Sequence, residues 1–121
     1  MPKLTEEAKK AIGTARTAFV ATVSKGGKPN VSAKGSVRVL DDDHVMFADV
    51  ASPRTIANIK ENGQVAIICL DVATRKGCRM WGKGEILSSG ELFDKVSAEM
   101  AARNMKPKHV VKVAVDEVET F

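Results

Sequence analysis

The chain has no tyrosine, one tryptophan and four phenylalanines among 121 residues. That scarcity argues against holding single-stranded nucleic acid by base stacking, which needs several exposed aromatic platforms. No apolar run approaches the roughly 20 residues that a membrane-crossing helix requires. Residues 1–10 lack the apolar core of a secretory signal, so a cytoplasmic protein is expected. The two cysteines, Cys69 and Cys78, form no close-spaced pair and read as reduced strand residues rather than a disulfide or metal site. His44 and His109 have no neighbours at ligand or catalytic spacing and read as structural or exposed. Asp41, Asp42 and Asp43 sit on a turn, where consecutive carboxylates do not converge, and no metal is expected. There is no Ser-His-Asp set, no catalytic carboxylate pair and no nucleophile motif. If the protein carries out a reaction, a cofactor supplies the reactivity.

What is present describes one globular domain over residues 1–121. Hydrophobic residues make up 44% of the chain, with no linker, repeat or low-complexity segment. The net charge of +4 comes from scattered Lys and Arg, which favours anionic partners without forming a nucleic-acid patch. Leu4, Ala8, Ala11, Ile12 and Ala15 recur at helical spacing behind a capping Thr5. Strands are expected over 17–24, 29–40, 45–48, 64–71, 78–87 and 109–121. Lys25-Gly26-Gly27-Lys28 makes a hairpin turn, and Gly82 and Gly84 mark a bulge or close backbone approach. Leu92, Phe93, Val96 and Met100 give a further helix its apolar stripe, capped by Ser88 or Ser89 and stopped at Lys106-Pro107-Lys108. In the last strand Val111, Val113 and Val115 face inward, and the pattern shifts near Glu117. Six short strands at hairpin spacing suggest a mainly β fold, an antiparallel barrel with peripheral helices and apolar surface left for a second copy.

The chain is organised around residues 45–63. Val45 to Ala48 form a buried strand, and residues 49–51 turn the chain. Ser52 then stands at a helix N-cap and Pro53 at the first helical position. Ile56 and Ile59 face a core, and Asn62-Gly63 ends the helix. The helix start therefore gathers free N–H groups, the Ser52 and Thr55 hydroxyls and the Arg54 cation, a combination suited to phosphate. A second signal lies in 29–40, where Val31, Ala33, Gly35, Val37 and Val39 point one way and Asn30, Ser32, Lys34, Ser36 and Arg38 the other. The polar side reads as the wet face of an antiparallel strand, and its two hydroxyls and two cations also suit a phosphorylated ligand.

Taken in order, PNVSAKGSVRVLDDDHVMFADVASPRTIANIKENGQVAI and RMWGKGEI resemble the flavin-binding split-barrel family, the pyridoxamine 5'-phosphate oxidase-like proteins. The likeness covers about residues 17–90. It implies a six-stranded antiparallel Greek-key split barrel, with helices at the N-terminus and after strands 3 and 5. It also implies a homodimer holding FMN at the subunit interface. By resemblance, Ser32, Ala33, Lys34, Gly35 and Ser36 line the flavin. Phe47 and Ala48 meet its ring or ribityl chain, and Ser52, Arg54 and Thr55 take the phosphate. The pattern departs from the oxidases at Pro53, where they carry a basic residue, and in lacking a terminal Arg and His pair. Pyridoxamine phosphate oxidase activity itself is therefore not expected. The implied function is a small FMN-binding flavoprotein of oxidoreductase type with no assigned catalytic residue. The alternative is a non-enzymatic flavin or haem store on the same scaffold.

Overall fold

Residues 3–15 and 17–121 are described in the structure, a computed structural model. The elements run α1 (Glu6–Thr14), β1 (Ala18–Val23), β2 (Pro29–Lys34), β3 (Arg38–Asp41) and β4 (His44–Asp49). They continue α2 (Pro53–Asn62), β5 (Gln64–Asp71), β6 (Lys76–Leu87), α3 (Glu91–Ala101) and β7 (His109–Thr120). All pairings are antiparallel, and the strands lie side by side as β2-β1-β5-β6-β7-β4-β3. The mainly β character and the three helices are as expected.

Two features correct the expected barrel. The sheet has seven strands rather than six, because the 29–40 run breaks at residues 35–37. It is also not closed: among the described residues nothing pairs β2 with β3. The break has a local cause. Ser36 leaves the ladder and its hydroxyl accepts the Ala48 N–H at 2.9 Å. β2 then pairs with β1, and β3 with β4, at opposite edges of the sheet.

The core divides across β4. Val45 and Phe47 face the main core with Val20, Ile67, Met80, Val111 and Val113, and α1 adds Leu4, Ala8 and Ile12. Met46 and Ala48 face a smaller core under α3, with Val96 and Val110. Both faces of β4 are therefore dry, as a continuous apolar run requires. Cys69 and Cys78 are free and buried, yet they lie directly opposite each other on β5 and β6. The hydrogen bond with the Cys78 sulfur, and then burial, raise the Cys69 thiol above its ordinary range.

Helix α2 positions the site. Pro53 begins it, and Gly63 ends it in the left-handed region (φ 73°), donating its N–H to the Ile59 carbonyl at 2.8 Å. Ile56 and Ile59 are buried as expected. Asn58 donates to the Thr22 hydroxyl at 3.0 Å and Asn62 to the Val23 carbonyl at 2.8 Å, which fastens the helix to β1. Helix α3 begins at Gly90, not at a serine cap, and no side chain caps it.

Candidate functional site

The start of α2 differs from a capped helix. Ser52 occupies the N-cap, but its hydroxyl makes no capping bond. Instead it donates to Asp49 Oδ1 at 2.5 Å and accepts from Lys34 Nζ at 2.7 Å. The Ser52 N–H also donates to Asp49 Oδ1, at 2.8 Å. Among the described residues no side chain thus occupies the N–H groups of the first turn, where the helix dipole is positive.

Strand β2 supplies the facing wall, and its orientation reverses one reading. The apolar side faces solvent: Val31 is 67% exposed and Ala33 is exposed. The side read as wet is half-buried against α2. Asn30 donates to Thr55 Oγ1 at 3.3 Å, and the Ser32 and Thr55 hydroxyls lie 2.8 Å apart. The reason is chemical matching: a fully buried Thr55 needs polar partners, and β2 provides them. Lys34 is partly buried as well. Burial pulls its ammonium below the usual lysine range, and the nearby Asp49 carboxylate opposes that shift. Its Nζ lies 5.9 Å from the centre of the Phe47 ring.

Between these walls is a cavity of about 750 Å³. It brings together Ser32, Ala33, Lys34, Gly35, Ser36, Ala48, Ser52, Arg54 and Thr55, nine of the ten residues expected there. Phe47 is the exception. Its side chain is fully buried in the main core and supports Lys34 from beneath, because alternation along β4 turns it away from Ala48.

Sequence reasoning missed Asn30, Val50, Ala51, Met100, Arg103 and Met105, which also line the cavity. The last three come from the end of α3. There the Met105 N–H reaches the Met100 carbonyl at 3.1 Å and the Asn104 N–H reaches the Ala101 carbonyl at 3.0 Å. Asn104 adopts φ 57°, so this is a Schellman-type termination. An asparagine shortly before Pro107 was the available signal. Lys34, Arg54 and Arg103 line the cavity, and no carboxylate lies among its lining residues. The cavity thus carries three fixed cations on its walls and an apolar, methionine-bearing rim.

Asp49 lies just behind this wall and is 2% exposed. Beyond its bonds to Ser52, its Oδ2 meets His109 Nδ1 at 2.8 Å. Burial works against ionisation, but the bonds from His109 and Ser52, with Lys34 nearby, outweigh it. They hold the Asp49 carboxyl below the usual carboxylate range. His109, read as standing alone, is thus held by a partner 60 residues away.

The family model described as pyridoxamine 5'-phosphate oxidase matches residues 4–121. The chain belongs to this family. Among curated proteins of similar sequence is the uncharacterized protein MJ0282 of Methanocaldococcus jannaschii, 37% identical over 96% of this chain and 79% of its own length. Among solved structures, HupZ of Group A Streptococcus is 30% identical with a TM-score of 0.89, covering 98% of this chain and 94% of its own. An FMN-binding protein from Syntrophomonas wolfei is 20% identical with a TM-score of 0.84, covering 95% of this chain and 84% of its own, a likeness of fold. No helix in the described residues is long and apolar enough to cross a membrane.

Proposed function

We propose that this family member is a cytoplasmic, single-domain, homodimeric flavoprotein of oxidoreductase type that holds FMN in the 750 Å³ cavity. The observation that carries the reading is the convergence of Lys34, Arg54 and the uncapped start of α2 on a cavity lined by no carboxylate. That donor set suits a dianionic phosphate, and the volume lies in the range of cofactor pockets, roughly 300–1,000 Å³. The FMN-binding protein of Syntrophomonas wolfei shares the fold.

In this reading Arg54, Lys34 and the N–H groups of the first turn bind the phosphate. Ser32, Ala33, Gly35, Ser36 and Ala48 line the remainder, with backbone groups at Gly35 and Ala48 orienting the ring. Thr55 acts through Asn30 and Ser32, fixing β2 against the helix. Asp49 fixes Ser52 and thereby the position of the Lys34 ammonium. FMN, when bound, supplies the electron or hydride transfer. A second copy fits the exposed sheet face on which Phe19 lies opposite Ala33 and Ile68, and Ala21 opposite Val31 and Ala66. Phe19 is 41% exposed and Val31 67%, so this apolar face is uncovered in one chain.

Visible spectra and mass analysis of the copurified ligand test the reading. Wild-type protein is expected to be yellow or to take up FMN. Arg54→Ala is expected to weaken FMN binding about 10- to 100-fold, as loss of a charge-assisted contact predicts. Protein that stays colourless with added FMN, or an Arg54→Ala variant of unchanged affinity, overturns it. Turnover with NADH or NADPH and an acceptor separates an oxidoreductase from a flavin store.

A further inference from the structure

The start of α2 stands between two cavities, and the second has no role so far. It encloses about 530 Å³ on the side of the helix away from β2 and shares Ala51, Ser52 and Pro53 with the first. Its helical wall is one face of α2: Pro53, Ile56, Ala57 and Lys60 follow the spacing of a single helix side. Its opposite wall is the end of β4 and the start of β7, with Asp49, Lys108 and His109. Asp49 and His109 are register partners on those strands, and the Lys108 N–H holds the Asp49 carbonyl at 2.8 Å.

The charge balance of this cavity is one-sided. Its lining carries two cations, Lys60 and Lys108, beside the His109 imidazole, against a single carboxylate. That carboxylate is buried and already accepts from Ser52 and His109, so its charge is met internally. His109 spends Nδ1 on Asp49, which fixes the ring and leaves Nε2 as its second polar atom. Two lysines and an oriented imidazole thus border a space walled by Pro53, Ile56 and Ala57.

We propose that this cavity is a second anion-binding site, separate from the flavin cavity, that takes a small phosphate monoester. Lys60, Lys108 and His109 receive the oxyanion, and the apolar face of α2 receives the organic body. The proposal does not depend on flavin binding, because none of Lys60, Lys108 and His109 lines the first cavity.

The chain has two histidines, so proton NMR of their ring Cε1–H signals reads the site directly. His44, bonded to Asp41 on the β3–β4 turn, serves as the internal reference. Titration with phenyl phosphate is expected to shift the His109 signal and leave that of His44. Inorganic phosphate is expected to give the same shift with lower affinity, since it cannot use the apolar wall. The shift should persist in Arg54→Ala, which disables the first cavity. In the Lys60→Ala/Lys108→Ala double variant, phenyl phosphate affinity should fall about tenfold, a loss of two partly exposed charge contacts. These lysines are exposed, so the fold should survive their replacement. An unmoved His109 signal, equal shifts at both histidines, or unchanged affinity in the double variant overturns the proposal.

Discussion

At the residue scale, Asp49 determines how the site is arranged. It accepts from the Ser52 N–H, the Ser52 hydroxyl and His109, and its own side chain is buried. Its carboxyl is held below the ordinary range, so the native state binds a proton there less readily than the unfolded chain. The stability it contributes is complete above the unfolded carboxylate range, about pH 4, and is lost as pH falls through the lower folded value. Denaturant titrations at a series of acidic pH values should show this loss in the wild type and a flatter dependence in Asp49→Asn. The same variant should be about 1–3 kcal/mol less stable at neutral pH, because it leaves buried partners poorly matched. Parallel pH dependences of the two proteins would refute this role. Nothing local marks Asp49 in the sequence: between a strand and Ser-Pro it reads as a turn residue. Its importance comes from His109, which only the β4–β7 pairing brings to it. Arg54 was legible because its signal is contained in four consecutive residues.

At the element scale, residues 29–40 and β6 differ in how much they disclosed. The alternation in 29–40 was real, and Asn30, Ser32 and Lys34 do share a face. Which face was inside was not legible, because a period of two says nothing about what packs on each side. The break at residues 35–37 depends on Ser36 bonding the Ala48 N–H, a contact across the chain. In β6, by contrast, Gly82 and Gly84, which flank Lys83, signalled the irregularity found at Gly82. The register with β7 shifts between Trp81 and Gly82, opposite Glu117 and Val115, where the valine pattern also changes. A Cβ at Gly82 would lie 2.3 Å from the Ala114 carbonyl oxygen, a backbone atom that cannot swing aside. Gly82→Ala is therefore expected to cost about 1–3 kcal/mol, read from the urea midpoint. A variant as stable as wild type would show that β7 yields freely at this point.

At the scale of the whole molecule, the open seven-stranded sheet leaves an apolar patch on β1, β2 and β5 uncovered in one chain. Phe19 and Val31 are exposed on it, and register places Phe19 beside Ile68 and Val31 beside Ala21. Phe19→Asp together with Val31→Asp should convert a dimer to a monomer in light scattering while the far-ultraviolet dichroism is kept, since neither side chain belongs to the core. If the flavin spans two copies, the same variant should lose FMN. A variant that remains dimeric places the interface elsewhere.

The sequence by itself determined the mainly β class, the three helices, the start of α2 and most of the residues that line the cavity beside it. These rest on short-range patterns: a period of two or of 3.6, a proline at a helix start, a glycine at its end. Only the tertiary structure decided that the sheet stays open, that the polar side of β2 turns inward, and that Arg103, Asp49 and His109 join the two cavities. Those outcomes depend on which distant strands pair and which groups must find partners once water is excluded, and no local pattern records that choice.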